Sequence, residues 1–279
     1  QAAQSAAAAI EQGRKIGAKT ERERDYIEAV ATYYADFANK PERARQAARA
    51  QAFEALAAKY PNADEAQIFA ALYVAGTQSQ ADQTYAAYLK AAAVLEKQFV
   101  KYPDHPGVAH YLIHSYDAPP IAAKGLDAAR RYSKIAPDAP HALHMPSHIF
   151  TRVGAWEDSV AVNRRSADVA KTDGNGNEAF HAADYMVYAN LQLGRDQAAR
   201  QVLDEFNRDV KTNPAVFVGV NLLWCLPGEV GGLEHPGRLG DPVGGHRDLD
   251  GCALHRQGDH AVEDALAALR RRRRLGAHP

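Results

Sequence analysis

Six histidines fall at helical spacing in one stretch of the chain: His110 and His114 in HYLIHSYD, His141, His144 and His148 in APHALHMPSHIF, and His181 in FHAADYMVY. Residues four apart stand one above the other on a helix face. Two imidazole nitrogens so placed can chelate zinc, copper, nickel or iron while a neighbouring helix completes the shell. The metal set this spacing implies is His110, His114, His144 and His148 with Asp184, and the cofactor is a divalent metal such as zinc. Hydrolysis is not implied, because Tyr111 follows His110 where the H-E-x-x-H motif needs its general base. Ser115, Ser147 and Ser159 each lie near a histidine but outside any Gly-x-Ser-x-Gly elbow. Gly174-Asn175-Gly176-Asn177 has no following Lys-Ser or Lys-Thr, so it reads as a loop that opens a helix rather than a phosphate cradle.

The polar residues repeat with the frame that carries them. A shift of 34 residues moves His110 and His114 onto His144 and His148, and Pro103 onto Pro137. A further shift of 40 moves His141, His144 and His148 onto His181, Asp184 and Tyr188, and Gly154 onto Gly194. A period in this range belongs to arrays of helical hairpins. Equivalent helices of successive hairpins run about 8 to 10 Å apart, so His110 and His114 are expected to face His144 and His148. Those in turn should face Asp184 and Tyr188, with His141 beside His181.

The elements that position these residues are helices. Residues 2 to about 60 are rich in alanine, glutamate, arginine and glutamine with regularly spaced apolar positions, and strand signals are nearly absent. Thr20 with Glu23 reads as a capping box opening a helix toward Phe37, and Asn39-Lys40-Pro41 as a stop and a new start. Lys59-Tyr60-Pro61 recurs as Lys101-Tyr102-Pro103 and more loosely as Ile135-Ala136-Pro137, each ending a hairpin. Between the stops the pattern predicts helices over about 63–76, 82–101, 105–117, 121–136, 140–153, 155–171, 177–193 and 195–211. Pro146 falls inside one of them and predicts a kink or a helix that starts there. Asp104, His105 and Asp138 are read as turn or cap residues. Tyr33, Tyr73, Phe53, Phe69 and the other helically spaced aromatics are read as packing between hairpins.

Gly154-Ala155-Trp156-Glu157-Asp158-Ser159-Val160 resembles the turn of tetratricopeptide repeats, and Gly194-Arg195-Asp196-Gln197-Ala198-Ala199 is a weaker copy. The phrases HPGVAHYLIHSYD and APHALHMPSHIFTRVG resemble a largely uncharacterised group of bacterial tetratricopeptide-like proteins. The resemblance covers roughly residues 20 to 224. It implies an all-α, right-handed helical-hairpin solenoid of about five hairpins, with residues 1–224 as the repeat domain. It also implies that the histidine row lines a concave groove. Members of that group look secreted and carry a further repeat before the point where this chain starts. A secreted or periplasmic parent protein, of which Gln1 opens a processed or truncated product, is therefore expected.

Three readings of the groove stay open. One is recognition of a peptide, protein or small acidic ligand by His110, His114, His141, His144, His148, Arg152, His181, Asp184 and Tyr188, with Asn163 alongside. The second is the metal site. In the third, the histidines with Asp117 and Asp184 only hydrogen-bond neighbouring helices. The expectation taken forward is a non-catalytic module that holds a peptide or protein partner, with the metalloprotein as its rival. A net charge of −1 supplies no global field to recruit nucleic acid or an anionic membrane. No run of 18 apolar residues exists to span a bilayer, and no secretion signal opens the chain. After Trp224 the composition changes: residues 225–279 read as an irregular or flexible tail or a shifted reading frame, with one helix at 259–274. The run Arg270 to Arg274 lacks the interleaved aromatics of a nucleic-acid site. Cys225 and Cys252, the two cysteines, make neither a disulfide framework nor a zinc site.

Overall fold

The computed structural model describes residues 2–79 and 81–212. The expectations for the tail, its helix at 259–274, the arginine run and the two cysteines lie outside the described residues. Within them every regular element is helical, as the composition and periodicity predict. The elements are α1 (Ala2–Ile16), α2 (Glu21–Tyr34), α3 (Glu42–Lys59), α4 (Asp64–Ala75), α5 (Ala86–Lys101) and α6 (Pro106–Tyr116). A 3-10 turn (Ala122–Gly125) then leads to α7 (Leu126–Ile135), α8 (Pro140–His144), α9 (Pro146–Val153), α10 (Trp156–Thr172), α11 (Gly176–Gln192) and α12 (Asp196–Thr212). No described helix is long and apolar enough to cross a membrane.

The chain divides into two compact units, the first containing α1–α7 and α9, the second α8 and α10–α12. In the first unit, α1 through α6 pack each against the next, and α9 lies on α6 and α7. The start of α2 is the capping box read from sequence: Glu23 N donates to Thr20 Oγ1 at 3.1 Å, and Thr20 N to Glu23 Oε2 at 3.0 Å. Phe53 is the centre of a core with Ala29, Leu56, Ala57, Ala66 and Ala70, its ring 4.5 Å from that of Tyr73. The small alanines are what let the helices approach closely around it.

The repeated hairpin stops have a common geometry. Tyr60, Tyr102 and Ala136, each preceding a proline, end α3, α5 and α7 at φ/ψ of −122/67, −135/72 and −133/71. Proline disfavours helical geometry in the residue before it, so the stop is favoured by the chain itself. The side chains then close on an upstream helix. Lys59 Nζ and the Tyr60 hydroxyl both reach Asp25 Oδ2, at 2.6 and 2.7 Å. Lys101 Nζ and the Tyr102 hydroxyl reach Asp64 Oδ2, both at 2.7 Å.

In the second unit α8 packs on α10 and α11, α10 on α11, and α11 on α12. Its core joins Phe180, Met186 and Val187 of α11 to Val202, Leu203 and Phe206 of α12 and to Ala167 and Ala170 of α10. Asn175 caps α11, its Oδ1 accepting from Glu178 N, so the glycine-rich stretch does open a helix. Gly154 and Gly194 take φ of 78° and 69°, left-handed values that a side chain would strain. The helix expected over 140–153 breaks at Met145, and α9 starts at Pro146 in the first helical position, where a missing N–H costs nothing.

Candidate functional site

Six side chains of the first unit form its polar centre. His110 and His114 lie one turn apart on α6, and their Nε2 atoms face each other at 3.0 Å. Tyr132 of α7 stacks on His110 with ring centroids 5.2 Å apart. Asp117 caps the C-terminus of α6 and receives two donors from α9: His148 Nδ1 at 2.8 Å and Arg152 Nε at 2.8 Å. Both are placed by the i, i+4 spacing of α9. The ring of His148 in turn lies edge-on to that of His114, centroids 6.1 Å apart.

The Asp117–His148 pair is buried, at 8 % and 3 % exposed, while His110 and His114 are half-buried. Burial alone would raise the Asp117 carboxyl's pKa, yet the positive charges and hydrogen bonds of His148 and Arg152 hold it well below the usual carboxylate range. A carboxylate that accepts from Nδ1 fixes the imidazole's tautomer. In its neutral form His148 keeps its proton on Nδ1 and presents the Nε2 lone pair, the arrangement that supports metal-ligating histidines.

The second unit has its own histidine cluster. His144 is fully buried, and its Nδ1 meets Asn163 Oδ1 at 2.6 Å. The amide's orientation is not free, since Asn163 Nδ2 donates to Ser159 O at 2.8 Å. Oδ1 must therefore be the atom facing His144, and the proton sits on Nδ1. His181 of α11 lies against the His144 ring with centroids 4.3 Å apart, and their ligand nitrogens are within 4.8 Å of each other. Tyr185 meets the His144 ring edge-on at 4.7 Å. His141, the exposed member, lies 6.2 Å from His144 ring to ring and 3.5 Å from Glu178 Oε2, an ion-pair distance. Its hydrogen bond and charge lower the Glu178 carboxyl, against the effect of burial.

Of the residues singled out from the sequence, the first unit thus brings together His110, His114, His148 and Arg152, and the second His141, His144 and His181. Tyr188 is buried and packs against Trp156, ring centroids 5.7 Å apart. Asp184 is half-buried with no hydrogen bond or ion pair among the described residues, and desolvation pushes its carboxyl up to about 7. Tyr132, Tyr185 and Glu178 were not picked out by spacing. All three reach their histidines from another helix, which a one-dimensional period does not register. Among the described residues, the fold and the two clusters define an all-helical protein with paired imidazoles, of which His144 and His148 are buried and His110, His114 and His181 half-buried. Compared with protein-family models, with curated proteins and with solved structures, the chain matches none.

Proposed function

We propose that the chain is a metal-binding protein in which His110 and His114 chelate a divalent transition ion. The observation that carries this reading is the 3.0 Å approach of the two Nε2 atoms. Two nitrogens on one tetrahedral zinc, each about 2.0–2.1 Å from it, stand about 3.3 Å apart, so the pair needs a shift of only a few tenths of an ångström. His148, oriented by Asp117, stands edge-on to the His114 ring, and Tyr132 shields one side of His110. In the second unit His144, oriented by Asn163, and His181 of a different helix form a second pair, their ligand nitrogens within 4.8 Å. The protein's contribution is positional: tautomers held by neighbouring oxygens, with Tyr132 and Tyr185 packed on the imidazole rings.

A peptide-holding groove built from the same residues is less well supported. His144, His148 and Tyr188 are at most 8 % exposed, which closes these three to a peptide. The hairpin packing of successive helices, the three stops of similar backbone geometry and the two left-handed glycine turns support a tetratricopeptide-like array as the frame of this site.

The test is metal content. After loading with zinc or cobalt(II) and extensive dialysis, the protein should retain on the order of one ion per imidazole pair. Cobalt should show visible bands of nitrogen ligation. His110→Ala with His114→Ala should lose the corresponding ion while keeping the helical circular dichroism. If the chain holds no zinc, cobalt, nickel, copper or manganese after loading, the imidazoles serve only to hold the helices together.

A further inference from the structure

Away from the histidines, α2, α3 and α4 of the first unit bring two arginines onto aromatic rings. Arg45 and Arg49 are one turn apart on α3. The guanidinium carbon of Arg49 lies 4.1 Å from the ring centroid of Tyr33 on α2 and 4.1 Å from that of Tyr73 on α4. That of Arg45 lies 4.7 Å from the same Tyr33 ring. Neither arginine forms an ion pair among the described residues. Arg45 donates only to backbone, from Nε to Lys40 O at 3.2 Å and from Nη1 to Tyr33 O at 3.4 Å. Glu42, on the same helix, accepts instead from the Tyr33 hydroxyl and from Gln46, both at 3.2 Å.

Arg49 is the more unusual of the two. It makes no hydrogen bond among the described residues, and its Nε is a buried donor with no acceptor. Buried N–H groups without acceptors are rare and unfavourable. Two like charges four residues apart on a helix also repel each other. Both features are resolved at once by an acceptor with negative charge that the described residues do not provide. Ring faces suit the guanidinium plane and restrict its rotamers, yet leave the in-plane N–H donors for another partner. A guanidinium edge matches two oxygens of a carboxylate or phosphate.

We propose that Arg49, with Arg45 as a second positive charge and Tyr33 and Tyr73 as walls, forms a receptor for a small oxyanion, a carboxylate or phosphate. The site is separate from the histidine clusters and does not depend on metal. Recognition comes from the Arg49 Nε–H and one Nη–H acting as a two-toothed fork. The aromatic rings exclude water from the pair and so strengthen it.

The experiment follows the arginine Nε–H resonances of the full chain by nitrogen-15 NMR, with Arg49→Lys identifying the Arg49 signal. Sodium acetate and sodium phosphate are titrated separately at constant ionic strength, with sodium chloride as the control. The Arg49 signal should shift saturably with acetate or phosphate, with a midpoint roughly tenfold or more below any response to chloride. The anion with the lower midpoint identifies the carboxylate or the phosphate as the ligand chemistry. Arg45→Gln should weaken binding several-fold without abolishing it. A linear shift that is the same in all three salts would overturn the proposal. So would saturable binding by thermal shift that Arg49→Lys leaves unchanged. Should Arg49→Lys fail to fold, through-bond assignment of the wild-type signal leaves the titration decisive.

Discussion

Asp184 offers a test of the second unit's electrostatics that needs no ligand. Its carboxyl has no ion pair or hydrogen bond among the described residues, and desolvation moves its pKa from 3.8 up to about 7. A raised carboxylate pKa means the native state holds the proton more tightly than the unfolded chain does. Stability from this group is therefore present below about pH 4 and is lost as pH rises to about 7, beyond which no more is lost. Three pKa units at about 1.4 kcal/mol each set a ceiling of about 4 kcal/mol, and water reaching a half-buried group lowers it to about 2–3 kcal/mol. Asp184→Asn removes the ionisation and keeps the shape. Urea unfolding followed by circular dichroism at pH 5 and pH 8 should show the variant gaining about 1–3 kcal/mol on the wild type between the two. Effects of all other groups cancel in that comparison. A variant-minus-wild-type difference that is flat with pH, or that turns against Asn at pH 8, would refute the reasoning.

Two further substitutions probe the first unit. Asp117→Asn removes the carboxylate that bonds the largely buried Arg152 and His148, and should cost about 3–5 kcal/mol in urea unfolding; a loss below about 1 kcal/mol would mean water reaches the cluster. Gly125→Ala would set a methyl group 2.8 Å from Ile149 Cδ1 and 3.1 Å from Tyr116 Cβ, displacing the residue next to His148. It should cost about 1–3 kcal/mol by thermal unfolding and weaken any metal retained by the first unit, while the second unit's ion stays.

How far the sequence is legible depends on the range of the interaction. The capping box at Thr20, the helix start at Pro146 and the stop at Tyr102 are local, set by a side chain or a proline within a few residues, and all three appear as read. The pairing of His110 with His114 is also local, since four residues make one turn. What brings Tyr132 to His110, or Asn163 to His144, is the packing of a different helix, and no spacing rule identifies that partner. Asp117 lies between these cases. Its place at the end of α6 is visible in the sequence, but its hold on both His148 and Arg152 emerges only when α9 is laid on α6. The aromatics Tyr33 and Tyr73 were read as packing, which the Phe53 core supports, yet their second role beneath Arg49 depends on three helices meeting.

The clasp in which a lysine and a tyrosine share one aspartate has a consequence for how such a chain can grow or shrink. Each clasp links residues 34 and 35 apart in one instance and 37 and 38 apart in the other, so its two halves stand at the beginning and the end of one hairpin, α2–α3 in the first case and α4–α5 in the second. A genetic deletion or duplication confined to part of that interval would strand an aspartate without its lysine, or a tyrosine without its acceptor. One that spans a whole interval would re-form the clasp at the new junction. The protein's length is thus quantised: its tolerated indels are those that respect the clasp, and a ladder of variants shortened in steps should recover cooperative unfolding only at whole-hairpin intervals.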